Sequence, residues 1–303
     1  MKKVKTIQPG IGTNATATTV NKRKGYDPGF IQAKGFKITL NGLLKNHKEI
    51  LTPLITPEKG NSKYLHYHHF SVAMHKERHM PLLTAVNIDG KHLKDFGRNN
   101  DKWSFDKRIP KESQVPLSVY KKNDLDLGHL VRRLDPVWGE DAEAANYDTF
   151  HLTVCAPQHK DLNRKTWLNL EDYILKNTNI ENLKVSVFTG TVFSDQDIPY
   201  NGVLLPLQFF KIAAVIKRDG TPSVTGYLLS QQKEIEDMAD DRGLISDHGF
   251  AAYKTFQVPL SKIEALTGIH LKPYYQYDPV FNSGNRGILE DEVEINSEGD
   301  ILL

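Results

Sequence analysis

Residues 125–171 read LDLGHLVRRLDPVWGEDAEAANYDTFHLTVCAPQHKDLNRKTWLNLE, and the chemistry of the chain is concentrated there. His129 follows a glycine, and an imidazole titrates near neutrality, so it can take a proton from an attacking water. Gly128 lets the backbone turn and lets a phosphate come close, and Asp126 can fix the histidine's tautomer or brace the loop. Taken alone, D-x-G-H equally describes a turn with a hydrogen-bonded histidine. In LNRKTWLNLEDYIL, Trp167, Leu170 and Ile174 recur at i, i+3 and i+7, which predicts an amphipathic helix beginning near Asn163. Asn163 and Glu171 then lie on roughly one side, two turns apart. Asn163 reads either as an N-cap or, through its amide oxygen, as a hard ligand for magnesium, an ion that keeps several of its waters. Glu171 would hold one of those waters. With Arg132 and Arg133 as a positive clamp, the segment supplies a general base, a metal foothold and a cation, the parts of a metal-assisted phosphodiesterase.

The remaining composition sets limits. At 303 residues there is room for one large domain or two small ones, and 39% apolar content supports a real core. The net charge of +2 excludes a globally basic surface, so any cations that meet nucleic acid must be gathered locally. The single cysteine, Cys155, excludes an internal disulfide and a cysteine zinc cage. Its place in the apolar run LTVCAP predicts a buried, inert thiol. The basic N-terminus has no apolar segment behind it, and no stretch approaches the ~20 apolar residues of a membrane span. A soluble, cytoplasmic chain without a membrane partner is expected.

Residues 1–24 lack periodicity and read as a flexible arm, leaving 25–303 as a single domain with its core at about 63–275. Phe70, Val72 and Met74 alternate with polar residues, and LLTAVNI is a second β-rich run, so HKERHM is the turn of an antiparallel hairpin. Five histidines fall between His66 and His79, with His66 and His68 expected on one strand face. Hydrogen-bonded or surface roles fit them better than a metal site, because nothing at ligand spacing closes one. Arg98, in the loop DFGRNNDKW, is either solvated or a phosphate clamp. LKVSVFTGTVF is a strand run interrupted at Gly190. LPLQFFKIAAVIK and SVTGYLLSQ are two more strands about a turn at Arg218-Asp219-Gly220, and QQKEIEDMADDR is a short helix or a loop. PLSKIEALTG is a helix with Ile263 and Leu266 on its apolar side and Gly268 as its stop. The acidic tail is expected to add a strand pair around Ser297–Asp300. Strands without regular crossover helices point to an α+β fold with a mainly antiparallel sheet.

DLGHLVRR and APQHKDLNRKTWLNLE together resemble the DNA/RNA non-specific endonuclease family, whose patterns are D-R-G-H, then P-Q, N, W and L-E. GRNNDKW, TGTVFSD and KIAAVIKRDGTPSVTGYLLSQ extend the match from about Lys63 to Gln231, and GYDPGF and VPLSKIEALTG carry it over most of the chain. The resemblance implies the ββα-metal nuclease fold: a histidine at a strand end, a long loop to a second strand in TFHLTVCAP, and the Asn-bearing helix across both. By the same resemblance His129 is the general base and Asn163 the direct metal ligand. Glu171 acts through water, Asp126 supports the histidine loop, and Arg98 clamps phosphate. The implied cofactor is magnesium, with manganese as a substitute, and the substrate is DNA, RNA or both. Relatives are often dimers, and an unrestrained nuclease harms its host. A homodimer and an inhibitor or activating protein are therefore expected partners, in keeping with a toxin or anti-phage defence effector. Leu127 replaces the family's usual arginine and Val154 its usual asparagine. These departures set up the alternative, a pseudo-nuclease that binds nucleic acid without cutting it.

Overall fold

The computed structural model describes residues 23–57, 60–97, 102–163, 174, 182–240, 255–282 and 293–294. The chain-order strands are β1 (Tyr64–His66), β2 (Phe70–Met74), β3 (Pro81–Asp89), β4 (Leu125–His129), β5 (Cys155–His159) and β6 (Lys184–Val192). They continue with β7 (Ile198–Tyr200), β8 (Val203–Leu205), β9 (Gln208–Ile216), β10 (Pro222–Ser230), β11 (Thr255–Val258) and β12 (Val293–Glu294). The longer helices are α1 (Ala142–Asp148), α2 (Gln232–Asp240) and α3 (Leu260–Thr267). Among the described residues, eight strands form one sheet in the order β1-β2-β3-β6-β9-β10-β11-β12, antiparallel at every pairing. β4 pairs with β5 as a separate antiparallel ribbon.

The sheet is covered on both faces. On one, Phe188, Phe210, Ile212 and Val224 pack under Tyr26, Phe36, Leu43 and Leu44 of the N-terminal segment and Leu260 and Ile263 of α3. On the other, Phe70, Val72, Val86 and Val187 meet Val131 and Val154, and Phe209, Tyr227 and Leu229 meet Leu125, Leu130 and Ala156. Strands buried on both faces lose the apolar–polar alternation of a solvated sheet, and β3 is buried along its whole length. Burial of this much aliphatic and aromatic surface, at roughly 25 cal/mol per Å², sets the β4–β5 ribbon on a rigid base.

One row across the sheet is polar on the side facing that ribbon. Thr84, Thr189, Lys211 and Tyr227 are successive cross-strand partners. Lys211 is 1% exposed and its Nζ donates to Thr189 Oγ1 at 3.0 Å. Thr84 Oγ1 lies 3.1 Å from the Leu130 carbonyl and 3.0 Å from that of Thr189. The sheet therefore grips the ribbon one residue beyond His129.

The hairpin of β2 and β3 and the turn between β9 and β10 fall where the sequence places them. Several details differ. β6 runs through Gly190 without a break. A Cβ there would fall 2.3 Å from the Leu82 carbonyl oxygen and 2.4 Å from the Phe210 ring, so glycine serves close packing, not an interruption. Gly190→Ala is expected to destabilise the protein by about 1–3 kcal/mol, seen as a lower urea midpoint at unchanged slope. Within the polar QQKEIEDMADDR run, Gln232–Asp240 form α2. Leu266 of α3 is 40% exposed while Ile263 is buried, because the helix packs through Leu260 and Ile263 instead. Gly268 ends that helix in the left-handed conformation, at φ 69°. In the tail the strand is Val293–Glu294, paired with β11. The turn expected at Ser297–Asp300 lies outside the described residues.

At the other end of the chain, Arg23, near the end of the flexible arm expected at residues 1–24, contacts the body. Its guanidinium pairs with Asp148 of α1, whose other oxygen accepts from the backbone N–H of His68 and contacts its imidazole at 2.8 Å. The histidines of this region are engaged individually, not as a cluster. β1 ends at His66, which meets Ser71 Oγ at 2.8 Å, and His69 stacks on Trp138 with ring centroids 3.4 Å apart. His68 lies in the following turn, so the two histidines expected on one strand face do not share one.

Candidate active site

β4 carries both candidate groups of the D-x-G-H motif. Asp126 and Gly128 point to one side of the strand and Leu127 and His129 to the other, because side chains alternate. β5 is held in register against β4, with Asp126 opposite Gln158, Gly128 opposite Ala156 and His129 opposite Cys155. The second strand is shorter than TFHLTVCAP implies: Leu152–Val154 form a 3-10 turn and the strand begins at Cys155. Burial pushes the Cys155 thiol up to about 12, which makes it inert.

β5 passes directly into a helical segment. It opens at Lys160, three residues before the position expected, and widens to a π-turn at Leu162–Asn163. Asn163 is therefore inside the first turn and is not its N-cap. Such wide turns recur at functional sites because they re-aim a side chain. Here Asn163 Nδ2 donates to Asp126 Oδ2 at 3.1 Å. With its nitrogen turned to the carboxylate, the amide directs Oδ1 the other way. Among the described residues no group of three or more His, Cys, Asp or Glu side chains forms a metal cage. One amide oxygen, oriented by a carboxylate, suits a hard ion that retains its own waters and not zinc. Asp126, expected to fix the histidine's tautomer or brace its loop, also holds the asparagine.

His129 stands at the end of β4, half-buried, in an aromatic corner. Its ring centroid is 4.8 Å from Trp103 and 5.7 Å from Phe150, and those two rings are 5.6 Å apart edge-to-face. A short bridge brings the walls together. Ser104 N–H donates to the Phe150 carbonyl at 3.0 Å and Leu152 N–H to the Ser104 carbonyl at 2.9 Å. Beneath this corner, Tyr67 Oη meets Asp106 Oδ2 and Thr153 Oγ1, each at 2.6 Å, and Arg108 lies over the Tyr67 ring at 4.5 Å. Burial alone would raise the Asp106 carboxyl, yet the hydrogen-bonded guanidinium of Arg108 holds it well below the usual carboxylate range. Phe150 does not stand out in the sequence, and Trp103 and Gln158 appear there only as parts of matched motifs, because their contacts are made between distant segments.

The two arginines after His129 separate. Arg133 Nη1 donates to the Phe96 carbonyl at 2.7 Å and to Asn146 Oδ1 at 3.0 Å, so it braces α1 against the loop leading to Arg98. Its Nη2 lies 3.8 Å from Asp95 Oδ1. Arg132 is half-buried on the turn after β4. Arg98 and Glu171, like Trp167 and Leu170, lie outside the described residues. The two departures from the family pattern also separate. Val154 is fully buried among Tyr67, Phe70 and Val131, whereas Leu127 shares a strand face with His129.

A ribbon of two antiparallel strands crossed by a helix start, with His129 and Asn163 on its parts, defines a ββα-metal nuclease fold. Residues 51–278 match the model of the DNA/RNA non-specific endonuclease family, and the chain belongs to that family. An uncharacterized protein of Sinorhizobium fredii, y4fB, is 42% identical over 217 residues, which is 68% of this chain and 33% of that protein. Mitochondrial endonuclease G of Bos taurus is 28% identical over 191 residues, 59% of this chain and 58% of that one. The match thus spans a third of the first relative's length and little more than half of the second's. Among solved structures, a crystal structure of the EndoG/EndoGI complex aligns with a TM-score of 0.53 at 18% identity. That alignment covers 68% of this chain and 84% of the other and shows the shared fold.

Proposed function

We propose that the chain is a divalent-metal-dependent, sequence-non-specific endonuclease that hydrolyses DNA or RNA to 5′-phosphate ends. The observation that carries this reading is the Asp126–Asn163 bond on the ribbon that also ends in His129. The donor set fits magnesium, or manganese in its place. Asn163 would hold the ion through Oδ1 and Glu171 would hold a water of its shell. When bound, the ion supplies charge stabilisation to the phosphate and to the leaving oxygen.

The chain's own residues do the rest. A nitrogen of the His129 imidazole takes the proton of the attacking water. The water oxygen bonds to phosphorus as the bond to the 3′ oxygen breaks. Trp103 and Phe150 restrict the tilt of the imidazole, so the base is held in its working orientation before substrate arrives. Arg98 neutralises the phosphate, and Arg132 stands close in sequence to do the same in place of the arginine that Leu127 lacks.

The test is cleavage of matched plasmid DNA and RNA in magnesium, manganese and EDTA. Cleavage in either metal, its loss in EDTA and its return on adding metal are expected; undiminished cleavage in EDTA refutes the proposal. The second reading, binding without cutting, draws on Leu127 beside His129, and gel shifts without cleavage in any metal would establish it. A nuclease of this kind in the cytoplasm endangers its own cell. A toxin or anti-phage defence role, restrained by an inhibitor or released by an activating protein, is the setting we propose, with a homodimer as the assembly.

A further inference from the structure

We propose that Gln158 is a positioning residue that sets the aim of His129 by seating its side chain on Gly128; this rests on the nuclease reading above. The sequence makes Gly128 a hinge or a place for phosphate to approach. The structure gives it another duty. Gly128 is in the middle of a paired strand and does not have a positive φ, so its backbone makes no demand for glycine. The demand comes from a neighbour. A Cβ at Gly128 would fall 2.0 Å from Oε1, 2.2 Å from Cδ and 2.5 Å from Cγ of Gln158. Three successive atoms lie across the glycine, so the side chain is laid along it and does not merely touch it with its tip.

Gln158 is fully buried, and among the described residues neither its Oε1 nor its Nε2 has a hydrogen-bond partner. Buried amides are normally paired, so packing against Gly128, not hydrogen bonding, holds this side chain in place. Its backbone cannot withdraw. Gln231 Oε1 accepts from the His159 N–H at 2.8 Å, and Gln231 Nε2 donates to the Pro157 carbonyl at 3.2 Å and the Pro206 carbonyl at 2.7 Å. These bonds fix β5 on both sides of Gln158. Across the ribbon, Thr84 grips the Leu130 carbonyl. Between the two anchors the Gln158 side chain fills the face of the ribbon over Gly128, so a larger residue there would have to displace it or shift β4. The next residue along β4 is His129, confined in its aromatic corner, and the residue opposite Gln158 is Asp126, which holds Asn163. Glycine in the motif is thus the seat of a side chain.

The experiment compares the full chain with Gly128→Ala, Gln158→Ala and the double variant. It reads plasmid cleavage as kcat and KM across pH, thermal unfolding, and the imidazole resonances of His129. A displacement near 1 Å can cost about 10²-fold in rate. Gly128→Ala is therefore expected to lose about tenfold or more in kcat with little change in KM, and to move the His129 resonances. Adding Gln158→Ala removes the clash, and the double variant is expected to regain at least half of the logarithmic loss with resonances returned toward wild type. If Gly128→Ala does not fold, a double variant that folds supports the proposal and one that does not overturns it. Gln158→Ala alone is expected to lower kcat and shift the pH profile. A double variant no better than Gly128→Ala in both activity and resonances, or Gln158→Ala with unchanged kcat and pH profile, overturns the proposal. Should wild type cleave nothing in any metal, the nuclease reading fails, while unfolding and the His129 resonances still decide whether Gln158 seats on Gly128.

Discussion

His129→Ala is expected to lower plasmid nicking in magnesium by ~10²–10⁴, the usual contribution of a well-placed general base. Three features of the ring support an effect of that size. It ends a strand gripped at the next residue by Thr84, it is flanked by Trp103 and Phe150, and it shares its ribbon with Asp126. Substrate binding draws on other groups, so the loss should fall on kcat and leave KM nearly unchanged. Because the ring is half-buried, thermal unfolding is measured alongside, so that a loss of rate is separated from a loss of fold. A variant that retains near wild-type nicking would remove His129 from the mechanism.

The second large effect belongs to Asn163→Ala. Under the proposed function, removing the amide takes away the oxygen that would hold the ion, so a magnesium titration is expected to need well over tenfold more metal for half-maximal cleavage. Removing the support alone should cost less: Asp126→Ala leaves the amide present but unaimed, and losses of about 10–100-fold are typical when such a partner is removed. Asn163→Asp is not a gentle exchange here. It sets a second carboxylate at hydrogen-bond distance from Asp126, and two such groups resist ionising together. Equal titrations for wild type and Asn163→Ala would move the metal elsewhere.

The sequence is a good guide wherever the signal is local. The β2–β3 hairpin, the β9–β10 turn and the α3 stop at Gly268 are each written in a few adjacent residues. So is the pairing of a histidine and an asparagine in one segment. It is a poor guide wherever a residue's meaning depends on what packs against it. Gly190 reads as a break because a glycine in a strand has two explanations, and the Leu82 carbonyl and the Phe210 ring decide between them. That Arg133 Nη1 also braces α1 is not legible, because its acceptors, Phe96 and Asn146, are 37 and 13 residues away. Trp103 and Phe150 become walls of the site only through the Ser104 bridge. The motif places Asp126 beside His129, but its bond to Asn163 spans 37 residues and takes shape only when β5 pairs with β4.

The anchorage of β5 by Gln231 has a consequence for how the protein comes into being. The Pro157 carbonyl and the His159 N–H wait for a residue made 74 and 72 positions later. Thr84 likewise reaches across 46 residues to Leu130. Closures over such separations come late in folding. A chain still emerging from the ribosome therefore carries His129 and Asn163 without the anchorage of β5 that Gln231 supplies. Under the proposed function, the cell making this protein is spared its own product until synthesis has passed β10.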